Sequence, residues 1–260
     1  MKRLLMILSL LTFVSQILLS AEQPDVQEIV KRANEAAYYA GKDGKADVKM
    51  VIDDGKGGTR ERAFTILRLN TQDGDQKFYV YFKEPADVRK MAYLVWKKVD
   101  GDDDRWLWLP ALNLVKRIAP GDKRTSFVGS DFVYEDVSGR NPKEDKHEIV
   151  KETDAHYFLK STPLDPDSVD FAYYELKIDK KTWLPMEANY YNRDQKIFRK
   201  VEATKVEMVD GHATVLESVV SDLNTGGKTL NIFSNVSYDT GLNEAIFSER
   251  FLRRPPREVR

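Results

Sequence analysis

The chain has 260 residues, and its 41 lysines and arginines against 42 aspartates and glutamates give a formal net charge of −1. This balance argues against a nucleic-acid-binding protein, which needs a basic excess to displace counterions from phosphate. The sequence has no cysteine and three histidines, which excludes disulfides and a cysteine nucleophile and leaves little for a zinc site. We therefore predict no metal and no cofactor.

The N-terminus has the three parts of a secretory signal peptide. A basic start at residues 1–3 precedes an apolar run over 4–19, and small residues then lead to the charged Glu22. We predict cleavage after Ala21, which leaves residues 22–260 in a bacterial periplasm. The alternative is a transmembrane anchor, but the apolar run is short for that purpose and contains four polar residues.

The following residues change from helical to strand periodicity. Apolar residues recur at helical spacing from Val26 and predict one amphipathic helix over 26–39, which ends near Gly41. Alternating patterns separated by turn signals then predict antiparallel strands. These strands cover 46–52, 60–70, 76–83 and 91–99, and a short strand from 105 leads into 116–118.

The second half of the chain continues the strand pattern after an irregular stretch. Residues 120–140 lack period-two alternation and are predicted to form a loop with a short helix near 131–137. Strands are then predicted over 147–152, 156–161, 170–178, 186–191, 197–208, 214–222 and 228–236. About eleven strands in one domain, residues 22–260, must close or nearly close to protect their edges, so the fold class is mainly β (α+β).

The middle of the chain carries a family resemblance. The motifs DDRWLWLPAL at 103–112, VKRI at 115–118 and SFVGSDFVYED at 126–136 resemble the outer membrane lipoprotein-sorting protein family of the LolA-like superfamily. The similarity continues through Phe82, Glu84-Pro85, 182–185 and the closing FSERFL at 247–252, so it covers nearly the whole mature chain.

This resemblance implies a fold and a function. The expected fold is a strongly curved, half-open antiparallel β-barrel with a helical lid. The expected function is that of a periplasmic carrier, which binds the acyl chains of a lipoprotein or lipid in an apolar cavity and passes them toward the outer membrane. An inner-membrane transporter is the implied donor and an outer-membrane component the acceptor; we predict no nucleic-acid partner and a monomeric state.

A carrier of this kind needs a dry cavity, because each acyl CH₂ left in water costs roughly 0.8 kcal/mol. The candidate wall residues lie on alternating positions of three predicted strands, and the candidate lid residues lie on the helix and in the irregular stretch. The wall candidates are Phe78, Val80, Phe82, Tyr93, Val95, Trp106 and Trp108, and the lid candidates are Ile29, Val30, Phe132 and Val133. The alternative interpretation is a filled core, the commonest role of aromatics at alternating strand positions.

Two other classes of function remain open from the sequence. A regulatory or sensor module could use the same fold. A lipid hydrolase would need a nucleophile such as Ser126 or Ser130 beside His147 and an aspartate, Asp131 or Asp145, but neither serine lies in a Gly-x-Ser-x-Gly elbow. We predict that the protein is not an enzyme.

Two charged segments have simple explanations. The aspartates Asp100, Asp102 and Asp104 begin like a calcium loop, but the glycine and the bidentate glutamate that such a loop needs are missing. We expect a solvated turn. The arginine-rich tail, residues 250–260, is either a solvated terminus or a surface that docks onto an acidic membrane protein or anionic lipid headgroups. We expect 257–260 to be frayed and solvated, and both alternatives stay open for 250–254.

Overall fold

The computed structural model describes residues 24–260, so the predicted signal peptide at 1–21 lies outside the described residues. Helix α1, Val26–Tyr38, begins where Asp25 Oδ1 accepts a hydrogen bond of 2.8 Å from the amide of Glu28. This bond satisfies one of the free amides of the first helical turn. The predicted helix over 26–39 is confirmed.

Thirteen strands form one antiparallel sheet in the described residues. The strands are β1 (Asp43–Asp53), β2 (Thr59–Asn70), β3 (Gln76–Glu84), β4 (Ala92–Lys97), β5 (Asp104–Leu109), β6 (Leu114–Ile118), β7 (Asp145–Glu152), β8 (His156–Pro163), β9 (Tyr173–Asp179), β10 (Pro185–Tyr191), β11 (Ile197–Val209), β12 (His212–Asp222) and β13 (Lys228–Tyr238). Two short helices complete the fold: α2 (Tyr134–Ser138) and α3 (Arg250–Arg253).

The sheet consists of two meanders that meet in its centre. Strands β1–β6, the N-terminal half-sheet, pair in chain order, and so do strands β7–β13, the C-terminal half-sheet. The halves join because β1 pairs with β13. The edge strands are therefore β6 and β7, and the curved sheet is a half-open barrel, as predicted.

The strand count exceeds the predicted number of about eleven, in part because the short strand predicted from 105 into 116–118 is a hairpin of two strands, β5 and β6. A short 3₁₀ turn at Pro110–Leu112 connects the two strands, and Asn113 takes a left-handed conformation with φ 49°. Trp106, Leu107 and Trp108 are all buried. Because both faces of β5 are covered, the strand lacks the alternation that marks a half-exposed strand.

The C-terminal segment, residues 240–260, covers the convex face of the N-terminal half-sheet. Tyr79 donates a hydrogen bond of 2.7 Å to the carbonyl of Phe251, and Trp96 Nε1 donates one of the same length to the carbonyl of Phe247. Val259 is 1% exposed. The expected frayed terminus at 257–260 is therefore wrong, because apolar contacts with the sheet hold this segment in place.

The crossover segment, residues 119–144, connects edge strand β6 to edge strand β7 and contains α2. It crosses the concave side of the sheet on its way. The guanidinium of Arg60 in β2 donates to the carbonyl of Gly129 at 3.1 Å, and the hydroxyl of Thr229 in β13 donates to Asp131 Oδ2 at 2.7 Å. The segment thus closes one end of the half-barrel.

Candidate functional site

A cavity of about 440 Å³ lies between the concave face of the sheet, α1 and the crossover segment. This volume is within the roughly 300–1,000 Å³ range of ligand pockets in proteins. Strands β9 to β13 and β1 to β3 supply its wall. The wall is predominantly apolar.

Small side chains form the part of the wall that belongs to the C-terminal half-sheet. In the strand register Leu176 lies opposite Ala188, and Ala188 lies opposite Val201, so these three side chains form one row across β9, β10 and β11. Ala203 and Val215 continue the lining on β11 and β12. Alanine and valine fill little of the space inside a curved sheet, which leaves the cavity open on this side.

Aromatic side chains limit the cavity on the other side. Phe64, Phe78 and Phe233 line it, and they also belong to or pack against the aromatic core of the N-terminal half-sheet. Phe127 of the crossover segment is 2% exposed and lies in that core, with its ring centroid 5.4 Å from that of Tyr93. The interior of the N-terminal half-sheet is therefore filled, except where β1 to β3 border the cavity.

Helix α1 covers the cavity with its apolar face. Val30, Ala33 and Ala37 line the cavity. The end of the helix is attached to the sheet, because Gln76 Nε2 donates to the carbonyl of Tyr38 at 2.7 Å and Asn70 Nδ2 donates to the carbonyl of Gly41 at 2.9 Å.

The two covers of the cavity touch at Gly139. This residue has a φ of 77°, and a Cβ atom at this position would lie 2.5 Å from the ring of Tyr38 in α1. Only glycine fits both the backbone conformation and the close approach. Lys97 Nζ fixes the same corner by donating to the carbonyls of Ser138 at 2.6 Å and Gly139 at 3.2 Å.

A buried ionic network lies beside the cavity at the crossover segment. Glu135 is 3% exposed, and its carboxylate is 3.2–3.3 Å from Lys123, Arg124 and Arg140. Arg140 also makes a bidentate pair with Asp145 in β7, with both N–O distances 2.8 Å. The network joins the crossover segment to the C-terminal half-sheet.

The pKa values in this network follow from burial and from charge. Burial favours the neutral form of Glu135, but Arg124, Arg140 and Lys123 outweigh it, so the pKa of this carboxyl is lowered. Burial disfavours the charged form of Arg140, but its hydrogen bond to Asp145 and the charge of Glu135 raise its pKa. Glu135 and Arg140 are therefore both ionised near neutral pH.

The predicted wall residues fall into three groups in the structure. Phe78 and Val80 line the cavity. Phe82, Tyr93 and Val95 point to the same concave side but lie within the filled aromatic core. Trp106 and Trp108 lie on the convex side, where they pack with the C-terminal segment.

Of the four predicted lid residues, two line the cavity and two do not. Val30 and Phe132 line the cavity. Ile29 is fully buried between α1 and strands β8 and β9, and Val133 is 8% exposed in the crossover segment, beside the residues that line the cavity.

Sequence reasoning missed the small wall residues Ala188, Val201, Ala203 and Val215. Their signal is weak: small apolar residues two positions apart, as at 201 and 203 on β11 and at 213 and 215 on β12. The predicted wall residues were mostly aromatic instead, although large side chains fill a cavity and do not leave it open.

In residues 24–260, His147 makes no hydrogen bond to the serines or aspartates of the alternative hydrolase hypothesis. His147 hydrogen-bonds through Nδ1 to Ser161 Oγ at 2.8 Å and through Nε2 to the carbonyl of Pro142 at 2.9 Å. Ser130 Oγ donates to the carbonyl of Phe127 at 2.7 Å. The buried Asp145 binds Arg140.

The acidic turn pairs with cations of the chain. Asp100 lies 2.6 Å from Lys143, and Asp104 lies 2.9 Å from Lys98 and also pairs with Arg117. Within residues 24–260, no group of three His, Asp or Glu side chains is arranged to hold a metal ion. In the same part of the chain, no helix has the length and apolarity that crossing a bilayer requires.

Comparisons with known proteins relate this architecture to other chains. The sequence model of a family described as "Uncharacterized protein" matches residues 74–254. A DUF1329 family protein from Desulfovibrio piger is 29% identical, with a TM-score of 0.79 over 86% of this chain and 96% of that one. A comparison with curated proteins finds no match.

Two further structures share the fold. A domain from Vibrio parahaemolyticus, provisionally named an outer membrane lipoprotein-sorting protein, is 25% identical, with a TM-score of 0.78 over 88% of this chain and 96% of that one. A LolA superfamily protein from Nitrosomonas europaea is 16% identical, with a TM-score of 0.66 over 87% of this chain and 98% of that one. The latter likeness concerns the fold alone.

Proposed function

We propose that this chain, which belongs to the DUF1329 family, is a carrier that holds the acyl chains of a lipoprotein or lipid in its cavity. The observation that supports this proposal best is the apolar cavity of about 440 Å³ between the sheet and its two covers. The sorting function in the provisional name of the Vibrio domain agrees with it.

The energetics of acyl chains fit such a site. Moving a chain from water into an apolar wall gains about 0.8 kcal/mol per buried CH₂. The small residues Ala188, Ala203 and Val215 leave that space free. No bond needs to be made or broken for this function, so we propose a binding protein and not an enzyme.

The proposed location is the periplasm, with a signal peptide cleaved after Ala21 and a single carrier domain over 22–260. The cargo would come from an inner-membrane transporter and go to an outer-membrane acceptor. Net transfer requires that the acceptor bind the cargo more tightly than the carrier does, because equal affinities move nothing. We propose that the carrier acts as a monomer.

Ligand binding by the purified mature chain, residues 22–260, tests the proposal. We expect lipid to co-purify with it in native mass spectrometry, and a hydrophobic fluorescent probe to bind with micromolar affinity. Ala203→Trp should weaken probe binding at least tenfold, since an indole would occupy the cavity.

The matched control is Lys205→Trp, which places the same side chain at an exposed position of the same strand and should leave probe binding unchanged. The proposal fails if the wild-type chain binds neither lipid nor probe. It also fails if Ala203→Trp binds the probe as well as the control does.

A further inference from the structure

A hairpin turn with two exposed leucines lies beside the arginine-rich end of the chain. Leu112, in the turn between β5 and β6, is 69% exposed, and Leu114, the first residue of β6, is 46% exposed. Asn113 lies between them, and its Oδ1 accepts a hydrogen bond of 2.8 Å from Arg253 of α3. The polar side chain of this turn therefore binds the protein, while the two apolar side chains are left to the solvent.

Helix α3 is fixed beside the turn by its apolar side. Leu252 is 1% exposed and belongs to the convex apolar cluster that also contains Trp108. The guanidinium of Arg253 lies 4.4 Å from the centre of the Trp108 ring. The other side of the helix is exposed, so its basic residues and the leucines of the turn share one surface. We call it the tip surface, and it consists of Leu112, Leu114, Lys116, Arg250, Arg253 and Arg254.

The tip surface carries a local excess of positive charge on a chain whose charges nearly balance. Residues 110–118 and 250–257 contain six lysines and arginines and no aspartate or glutamate. Arg117 pairs with Asp104, and Arg257 pairs with Glu258. Within residues 24–260, the other four form no ion pair, and Glu249, which precedes Arg250, offsets one of their charges. Several cations thus remain available to an anionic partner.

Exposed leucines beside available cations are complementary to an anionic bilayer. A guanidinium can bind a phosphate through two parallel N–H groups. Leucines can enter the apolar side of the headgroup region, while long basic side chains keep their charges among the headgroups. An acidic protein would need a groove that fits Leu112 at the turn, whereas a bilayer adapts to it. The observations therefore favour a membrane over a protein as the partner.

We infer that the tip surface docks this protein onto a bilayer that contains anionic phospholipids. Leu112 and Leu114 enter the headgroup region, and the arginines bind lipid phosphates. The inference goes beyond the proposed carrier function and does not depend on the cavity. Basic residues also protect an edge strand such as β6 from pairing with another chain, but that role would not require exposed leucines beside them.

Sedimentation of the mature chain, residues 22–260, with vesicles tests the part played by charge. We expect at least tenfold tighter binding to equimolar phosphatidylcholine and phosphatidylglycerol than to phosphatidylcholine alone, and added salt should weaken it. Arg250→Gln combined with Arg254→Gln should weaken binding about ten- to thirtyfold, since each basic residue near such a surface contributes about fivefold.

The matched control for charge is Lys181→Gln combined with Lys196→Gln. These two lysines are exposed in turns of the C-terminal half-sheet, and the double change alters the net charge by the same amount. It should change vesicle binding less than about twofold, because exposed charges away from the bilayer are screened.

The leucines are tested by Leu112→Ser combined with Leu114→Ser, which should weaken vesicle binding at least about threefold through the loss of apolar burial. The matched control is Leu164→Ser combined with Leu223→Ser, because these leucines are 68% and 49% exposed in the C-terminal half-sheet. This control should bind vesicles like the wild type. Thermal unfolding of both double variants checks that they are folded.

A fluorescent label measures directly whether the turn enters the bilayer. The chain has no cysteine, so Leu112→Cys provides a single site for a polarity-sensitive dye. Its emission should shift to the blue when vesicles with phosphatidylglycerol are added. The same dye on Leu164→Cys should show no shift.

Three results overturn the inference. The first is no binding to vesicles with phosphatidylglycerol, which would leave an acidic protein as the partner of this surface. The second is an equal loss of binding in the arginine variant and in its lysine control. The third is a dye at position 112 that stays in water while the chain is bound. Ala203→Trp should keep its vesicle binding, so failure of the carrier function and failure of this inference can be told apart.

Discussion

The two halves of the sheet have the same topology but different interiors. Each half is an antiparallel meander, and β1 pairs with β13 to make them one surface. The concave side of the N-terminal half-sheet is filled by large side chains such as Phe64, Phe82 and Tyr93. The corresponding side of the C-terminal half-sheet carries Ala203 and Val215 and faces the cavity. Side-chain volume, rather than topology, decides which half is filled and which is hollow.

The halves also differ on their convex sides. The C-terminal segment covers strands of the N-terminal half-sheet, where Leu252 and Val259 are each 1% exposed. Strands β9 to β12 have mostly partly buried residues along their length. The N-terminal half-sheet is thus covered on both faces, whereas the C-terminal half-sheet borders the cavity on its concave face.

The crossover segment is attached differently to each half. Phe127 inserts among aromatic rings of the N-terminal half-sheet, with centroids 5.8 Å from Phe82 and 6.5 Å from Phe64. On the other side, Arg124 pairs with Asp170 at 2.8 Å and Asp136 pairs with Arg199 at 2.5 Å. Apolar contacts thus hold one side of this cover and ion pairs hold the other.

The largest loss of unfolding free energy is expected from Phe127→Ala. Phe127 borders the cavity, but its ring is 2% exposed and packs among the rings of Phe64, Phe82 and Tyr93. Removing a ring that is packed in this way costs about 3–5 kcal/mol. Urea unfolding followed by tryptophan fluorescence would measure the loss of unfolding free energy. A loss below about 1 kcal/mol would mean that the interior of the N-terminal half-sheet is not filled, and the contrast between the halves would disappear.

A smaller effect, about 3 kcal/mol at neutral pH, is expected from Glu135→Gln. The change leaves buried cations without their shared carboxylate, and losing one partner of a buried pair is strongly destabilising. The carboxylates of Glu144, Asp145 and Asp170 still pair with those cations, which keeps the cost at the low end. Urea unfolding of wild type and variant would measure it.

The difference in unfolding free energy between the wild type and Glu135→Gln should depend on pH. Because the pKa of Glu135 in the folded protein is lowered from its ordinary value of 4.5, its contribution to stability is present above that value and is lost as the pH falls through the lowered one. The difference between wild type and Glu135→Gln should therefore shrink below about pH 4. A difference that stays constant between neutral and acid pH would contradict an ionic attachment of the crossover segment.

The smallest effect, below about 1 kcal/mol, is expected from Val215→Ala. Ile-to-Val and similar truncations in filled interiors cost about 0.5–1.5 kcal/mol, and part of this cost comes from the new void. Val215 already faces a cavity, so its truncation enlarges an existing space. A loss as large as that of Phe127→Ala in the same unfolding assay would show that the C-terminal half-sheet has a filled interior too.

The sequence by itself determined the secondary structure and the class of fold. Helix α1 and most strands follow from local periodicity, because the alternation between buried and exposed positions is visible in neighbouring residues. The hairpin of β5 and β6 was predicted only as one short strand from 105 leading into 116–118, since the burial of Trp106 and Trp108 on the convex side depends on the C-terminal segment more than a hundred residues later. The same dependence made residues 257–260 look solvated.

Only the tertiary structure decided where the cavity lies. The alternation of residues along a strand shows which of them share a face. The sequence alternates in the same way whether the interior behind that face is filled or hollow. The outcome depends on the sum of side-chain volumes that distant strands bring to one space, such as Phe127 against Phe82 in one half and Ala188 beside Val201 in the other. That sum is a property of the packed molecule, and it placed the cavity against the small residues of the C-terminal half-sheet.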